Sequence, residues 1–98
     1  MVIRRTQSRP LKEIIEELLK TSGIDQKLKE RELIRLWDEV VGITIAKSTE
    51  SIYITDRKLI VRIRSSVIRN ELTMIRGGLM LELNRRIGQN LIDEIIIR

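Results

Sequence analysis

The sequence predicts one α+β domain in two layers, with helices covering one face of a three-stranded sheet in the order ααββαβ. The chain has 98 residues, which is enough for one hydrophobic core. Within Leu59–Arg76 the apolar spacing changes from a period of two to helical spacing, so a strand leads directly into a helix. Two stretches of helical spacing precede that strand, and an isoleucine-rich segment ends the chain.

The composition excludes several kinds of site. The chain has no cysteine and no histidine, so disulfides, thiolate or imidazole metal sites and Cys or Ser–His nucleophiles are ruled out. No metal and no cofactor is expected. No apolar run exceeds three residues, so no membrane-spanning segment is predicted, and a cytoplasmic protein without a membrane partner is favoured.

The net charge of +5 is spread unevenly along the chain. Residues 1–56 hold 10 basic and 10 acidic side chains, whereas residues 57–98 hold 9 and 4. Such an excess favours nucleic acid or another polyanion as partner, although domains that bind neither also carry modest positive charge.

Residues 1–9 include Arg4, Arg5 and Arg9 and little that can be buried. They predict a flexible basic arm ahead of a folded domain at residues 10–98. A frayed terminus without a binding role is the alternative.

The first helix has the clearest amphipathic pattern in the chain. Ser8 can cap it, Pro10 suits its first turn and Gly23 can end it. Its apolar positions follow helical spacing at Leu11, Ile14, Ile15, Leu18 and Leu19.

A second helix is predicted from a cap at Asp25 to about Ala46. Trp37 lies at the centre of its apolar stripe among aliphatic neighbours, which indicates a core anchor rather than a ligand platform. Gly42 marks either a close approach of another element or an early end of this helix.

A hairpin follows the second helix. Residues 51–55 alternate as a short strand, and Asp56, Arg57 and Lys58 turn the chain into the strand that begins at Leu59. Ser65 and Ser66 can cap the third helix, which Gly88 ends.

The last strand is predicted at residues 91–98, with Ile95 and Ile97 on one face and Glu94, Ile96 and Arg98 on the other.

The glycine pair Gly77–Gly78 lies in the third helix. It indicates a kink or a close helix–sheet contact, because no phosphate-binding motif surrounds it.

The sheet face that no helix covers is the best candidate for a binding site, in view of its predicted exposed side chains. It is predicted to carry Tyr53, Ile60, Arg62, Arg64 and Ile96. Arg62 and Arg64 share the exposed strand face, while Arg69 and Arg76, seven residues apart, share a helix face that begins where that strand ends. The candidate nucleic-acid-binding residues are Arg62, Arg64, Arg69, Arg76, Tyr53 and Lys58.

Binding through the nucleic-acid backbone is favoured over base readout, because Tyr53 is the single aromatic residue on that face. The alternative for Arg62 and Arg64 is a solvated strand face that deters edge-to-edge pairing. An enzyme is not predicted, since the adjacent carboxylates along the chain point apart and do not converge on a substrate.

Several segments together resemble the DciA family of bacterial proteins. They are LIRLWDEVVGITIAKST, KLIVRIRSSVIRNELTMIRGGLMLELNRRIG and IDEIIIR, which cover residues 33–98. The most telling pieces are Trp37 with Val41–Gly42, Ser65–Ser66, Asn70–Glu71–Leu72 and Leu83–Asn84.

This resemblance implies a KH-like domain that binds single-stranded or duplex DNA and recruits or loads the replicative helicase. It also implies a bacterial, nucleoid-associated protein of the cytoplasm. Two alternatives remain open: a KH-like protein that binds RNA or the ribosome, and a protein-interaction module that associates weakly with itself through Tyr53, Ile60 and Ile96.

Overall fold

The computed structural model describes residues 10–98 and confirms the predicted α+β class. The predicted basic arm at residues 1–9 and the cap at Ser8 lie outside the described residues. The elements follow one another as α1 (Leu11–Ser22), α2 (Ile24–Val41), α3 (Ile43–Ser48), β1 (Thr49–Thr55), β2 (Lys58–Ile63), α4 (Ser66–Ile87) and β3 (Glu94–Ile97).

The three strands form one mixed sheet with β2 at its centre. β1 pairs with β2 in antiparallel register through the predicted hairpin, where Thr55 faces Lys58. Asp56 and Arg57 make the turn with φ of 50° and 62°, the left-handed backbone that two-residue hairpins require. β3 pairs with β2 in parallel, with Ile95 beside Leu59.

The core lies between the inner face of the sheet and helices α2 and α4. Its buried side chains include Leu33, Trp37, Leu59, Val61, Ile63, Leu72, Leu83 and Ile95. Trp37 is fully buried, as predicted, and its indole Nε1 donates to Thr49 Oγ1 at 3.1 Å. Thr49 Oγ1 in turn donates to the Ile45 carbonyl at 2.9 Å, so the one polar atom of the indole is satisfied inside the core.

The second helix is shorter than predicted. α2 ends at Val41, and Gly42 adopts φ 88° before the separate helix α3 begins. Positive φ in this region favours glycine, so Gly42 marks an early helix end, and the prediction of one helix to about Ala46 is wrong. Asp25 lies in the first turn of α2, because Gly23 occupies the cap position.

Helix α1 does not cover the sheet, which corrects the predicted arrangement of helices. It packs against α2, and none of its residues is buried. Leu11 and Leu18 remain 58% and 63% exposed. Gly23, at φ 80°, is the single residue between the two helices. The molecule is correspondingly elongated, with principal-axis extents of 62 × 23 × 21 Å.

The last strand is also shorter than predicted, because it begins at Glu94 and not at residue 91. Leu91 and Ile92 are buried, but their backbone groups pair with the side chain of Asn84 on α4. Asn84 Oδ1 accepts from the amides of Leu91 and Ile92 at 3.1 and 3.2 Å, and its Nδ2 donates to the Ile92 carbonyl at 2.8 Å.

Helix α4 is continuous from Ser66 to Ile87, so Gly77–Gly78 makes no break in it. The predicted cap at Ser65 is confirmed, because its Oγ accepts from the Ile68 amide at 3.3 Å. No atom lies within 4 Å of where a Cβ would stand on either glycine, which removes the predicted close contact with the sheet. Among residues 10–98, no helix has the length and apolar character needed to cross a bilayer.

Candidate nucleic-acid interface

The outer face of the sheet consists of cross-strand rows set by the register. The middle row holds Tyr53, Ile60 and Ile96, side by side on β1, β2 and β3. At the hairpin end, Lys58 stands beside Glu94. At the other end, Arg62 pairs with Ser51.

Ile60 is only 7% exposed, although it belongs to the outer face. Its neighbours in register, Tyr53 and Ile96, flank it on both sides. The predicted apolar patch is therefore smaller than expected, because its central residue offers almost no surface to a partner. This weakens the basis for self-association through this patch.

Arg62 is exposed, and among residues 10–98 its side chain has no ion pair or hydrogen bond. Beside it lies Arg98, since the Arg98 amide donates to the Val61 carbonyl at 2.9 Å and the Ile63 amide donates to the Arg98 carbonyl at 2.8 Å. Arg98 was not among the predicted site residues. The alternation that places Ile96 on the outer face also places Arg98 there, so the signal was present in the sequence.

Arg64 follows the end of β2 and shares this end of the sheet. Its Nε lies 3.6 Å from Glu50 Oε1, and its Nη1 donates to the Lys47 carbonyl at 3.3 Å. Two-thirds of the Arg64 side chain is exposed, so water screens the pair with Glu50 and a polyanion can replace it.

The two predicted arginines of α4 differ in their surroundings. Arg69 is half-buried, and its Nη1 donates to the Ile63 carbonyl at 2.8 Å, which fastens the start of α4 to the end of β2. Arg76 is exposed about 10 Å further along the helix, at 1.5 Å rise per residue. Because α4 covers the inner face of the sheet, Arg76 lies in a different layer from Arg62.

Tyr53 is 46% exposed and offers one aromatic surface in the middle row. Lys58 is half-buried at the hairpin end, next to Glu94 and four residues from Arg62. That separation is about 13 Å along a strand. Lys58 is thus not gathered with the arginines.

Some of the basic residues in the second half of the chain are paired with carboxylates. Glu82 Oε2 lies 2.7 Å from both Arg85 Nη2 and Arg86 Nε. Hydrogen bonds from Arg85 and Arg86 lower the pKa of Glu82 from 4.5 to about 2, and the same carboxylate raises the pKa of Arg85. Arg62, Arg64 and Arg98 are gathered at one end of the outer face, called here the arginine end, while exposed Arg76 lies apart from them on α4.

A known protein family matches nearly all of the described residues. The family model described as Dna[CI] antecedent, DciA matches residues 10–97. The chain belongs to the DciA family. No curated protein sequence matches it. Two pieces of the DciA resemblance now have structural reasons: Gly42 ends a helix with positive φ, and Asn84 fastens the segment that leads into β3.

Proposed function

We propose that the protein binds single-stranded DNA through the arginine end of the outer sheet face and recruits or loads the replicative helicase. Membership of the DciA family supports the helicase role. The observation that carries the DNA role is the juxtaposition of exposed Arg62 and Arg98 on neighbouring strands. Like charges held side by side favour an anionic ligand.

Guanidinium groups contact phosphate oxygens, so binding at this end follows the DNA backbone and not its sequence. Tyr53 lies in the next row and supplies a stacking surface for one base. A single aromatic residue contributes affinity without reading bases. We therefore expect little sequence preference.

The salt dependence of binding tests the backbone mechanism. If Arg62, Arg64 and Arg98 neutralise about three phosphates, log affinity for single-stranded DNA falls against log salt with a slope near −2, from about −0.7 per phosphate. Fluorescence anisotropy of a labelled oligothymidine, repeated with a mixed sequence, measures both slope and preference. A slope near zero or strong sequence preference contradicts the mechanism.

The location of the site is tested by charge reversal. Arg62→Glu with Arg64→Glu removes binding, whereas the matched variant Arg31→Glu with Arg35→Glu changes net charge equally on exposed positions of α2. The control retains most of the affinity. Equal losses in both variants indicate a diffuse charge effect, and unchanged binding by the first variant moves the site elsewhere, first to Arg4, Arg5 and Arg9.

The helicase role needs its own measurement. Mixing the protein with the replicative helicase of its host gives a complex by sedimentation at micromolar concentrations, the range of transient contacts. Absence of association at ten times that concentration, with and without DNA, contradicts helicase recruitment. Competition with single-stranded RNA of the same length then decides whether RNA is the preferred ligand.

A further inference from the structure

Helix α4 carries an exposed apolar row on the side away from the core. Val67, Met74 and Leu81 are spaced seven residues apart, so they follow one line along the helix. They are 65%, 80% and 65% exposed. Ile75 is 55% exposed but points about 100° away from this line around the helix. A soluble helix normally places polar residues on such a face.

The pair Gly77–Gly78 lies within the same row, between Met74 and Leu81. Glycine inside a helix lowers its stability relative to alanine, and nothing in the described chain occupies the space where either Cβ would stand. No contact within the described residues requires glycine at either position. A helix from another molecule could approach α4 closely at this point, because no side chain intervenes.

We propose that this face, called here the outer face of α4 (Val67, Met74, Gly77, Gly78 and Leu81), docks a second copy of the chain. The two α4 helices run antiparallel about a twofold axis beside Gly77–Gly78. Such an interface is isologous, so each residue of the row meets its counterpart on the other side of the glycines. Met74 of one copy meets Leu81 of the other.

The charges beside the row favour the antiparallel direction. Around the helix, Arg85 points in the same direction as Val67, and Glu71 lies about 40° to one side of them. Glu71 and Arg85 stand on opposite sides of the glycine pair, so the twofold axis brings Glu71 of each copy towards Arg85 of the other. In a parallel pair, Glu71 of one copy would lie level with Glu71 of the other and on the opposite side of the interface, so it would not meet Arg85 of the other copy. Arg85 already holds Glu82 at 2.7 Å, and Glu71 has no ion pair among residues 10–98.

The surface shape agrees with the same arrangement. An open cleft of about 450 Å³ lies at the end of α4, lined in part by Leu81, Arg85 and Gly88. About the twofold axis, Val67 of the second copy falls opposite Gly88. The cleft leaves room for the Val67 side chain, although Asn84, Gln89 and Asn90 make most of its remaining lining polar.

The size of this surface sets the strength of the dimer. One helix face offers less than the roughly 800 Å² per partner of a standard interface, so we expect weak, concentration-dependent association. Sedimentation equilibrium of the protein without DNA measures it, over concentrations from about 10 μM to 1 mM. A protein that stays monomeric throughout this range overturns the proposal.

Replacing the glycines separates docking from folding. Gly77→Ala with Gly78→Ala raises the melting temperature, because alanine favours the helix and its Cβ meets open space. The same variant weakens dimerisation at least tenfold, because two methyl groups now keep the helices apart. Leu18→Ser on α1 removes an equally exposed leucine and leaves dimerisation unchanged. Unchanged dimerisation in the alanine variant, or loss in Leu18→Ser, overturns the proposal.

Charge exchange tests the antiparallel direction. Glu71→Arg weakens the dimer about tenfold, since arginines then face each other across the axis. Adding Arg85→Glu to that variant restores the attraction with the signs reversed, and affinity recovers. Failure of the second change to recover affinity, with both variants folded by circular dichroism, contradicts the antiparallel pairing.

Discussion

Asn84 joins two elements through a single side chain. It is buried, and all three of its hydrogen bonds go to the backbone of Leu91 and Ile92. These two residues are buried but belong to no strand, so their amides have no ladder partner. The Asn84 side chain on α4 thus supplies the hydrogen bonds that a neighbouring strand would otherwise make to the residues just before β3.

Removing that side chain should destabilise the fold strongly. Asn84→Ala leaves the buried amide and carbonyl of Ile92 without partners, whereas the Leu91 amide keeps its bond to the Gln89 carbonyl at 2.9 Å. The loss costs about 2–4 kcal/mol of unfolding free energy. Urea denaturation measures the loss. Asn90→Ala, at an exposed position in the same loop, is the control and changes stability by less than about 0.5 kcal/mol. Equal effects of the two substitutions would contradict the assigned role.

The pH response of Glu82 follows from its two arginine partners. Its pKa in the folded protein is about 2, below its ordinary value of 4.5, so its stabilising contribution is complete above the ordinary value. As pH falls towards 2, the carboxylate takes up a proton and the contribution is lost. NMR titration of the Glu82 side-chain carbon should show this low midpoint. In Arg85→Gln with Arg86→Gln, the midpoint should return towards 4.5.

At the scale of elements, local patterns predicted most of the fold. The hairpin turn, the cap at Ser65 and the burial of Trp37 follow from neighbouring residues and were predicted correctly. The ends of α2 and β3 were misplaced. Gly42 could not be assigned without its φ angle. The hydrogen-bond partner of the Ile92 amide and carbonyl is the side chain of Asn84, eight residues earlier, which no strand pattern reveals.

The position of α1 could not be predicted either, because an apolar stripe shows that a helix can pack but not where. Its stripe is largely exposed, and α2 is its main contact. Deleting residues 1–22 should therefore change the unfolding free energy of the remainder by less than about 1 kcal/mol. Urea denaturation tests this. In the intact protein, amides of α1 should exchange with solvent faster than those of α4. Cooperative loss of the whole fold on deletion would contradict this independence.

At the scale of the whole molecule, the two proposed surfaces belong to different layers. The arginine end lies on the outer face of the sheet, while the outer face of α4 points away from the sheet's inner side. DNA binding and dimerisation should therefore vary independently. Gly77→Ala with Gly78→Ala should leave the affinity for a short oligothymidine, measured at a protein concentration far below that of dimerisation, within about twofold of the parent. A tenfold change would show that the surfaces are coupled.

The candidate site was only partly predictable from the sequence, because some of its contacts depend on how the whole molecule packs. Sequence placed Arg62 and Arg64 on one strand face, and alternation along the last strand could have added Arg98. The hydrogen bond from the Arg69 guanidinium to the Ile63 carbonyl depends on the angle between β2 and the start of α4. That angle is set by the packing of the whole molecule. Charge counts cannot show that Arg85 and Arg86 share the carboxylate of Glu82.

The contrasting surroundings of the two aromatic residues give the molecule two separate optical reporters. The chain has one tryptophan and one tyrosine. Trp37 is buried in the core, where it donates a hydrogen bond to Thr49. Fluorescence excited at a wavelength that only indole absorbs therefore reports whether the fold is intact. Tyr53 stands half-exposed in the row next to Arg62, so its emission responds to what lies on the sheet. Fluorescence of the unlabelled protein can thus report ligand binding and the folded state in the same sample.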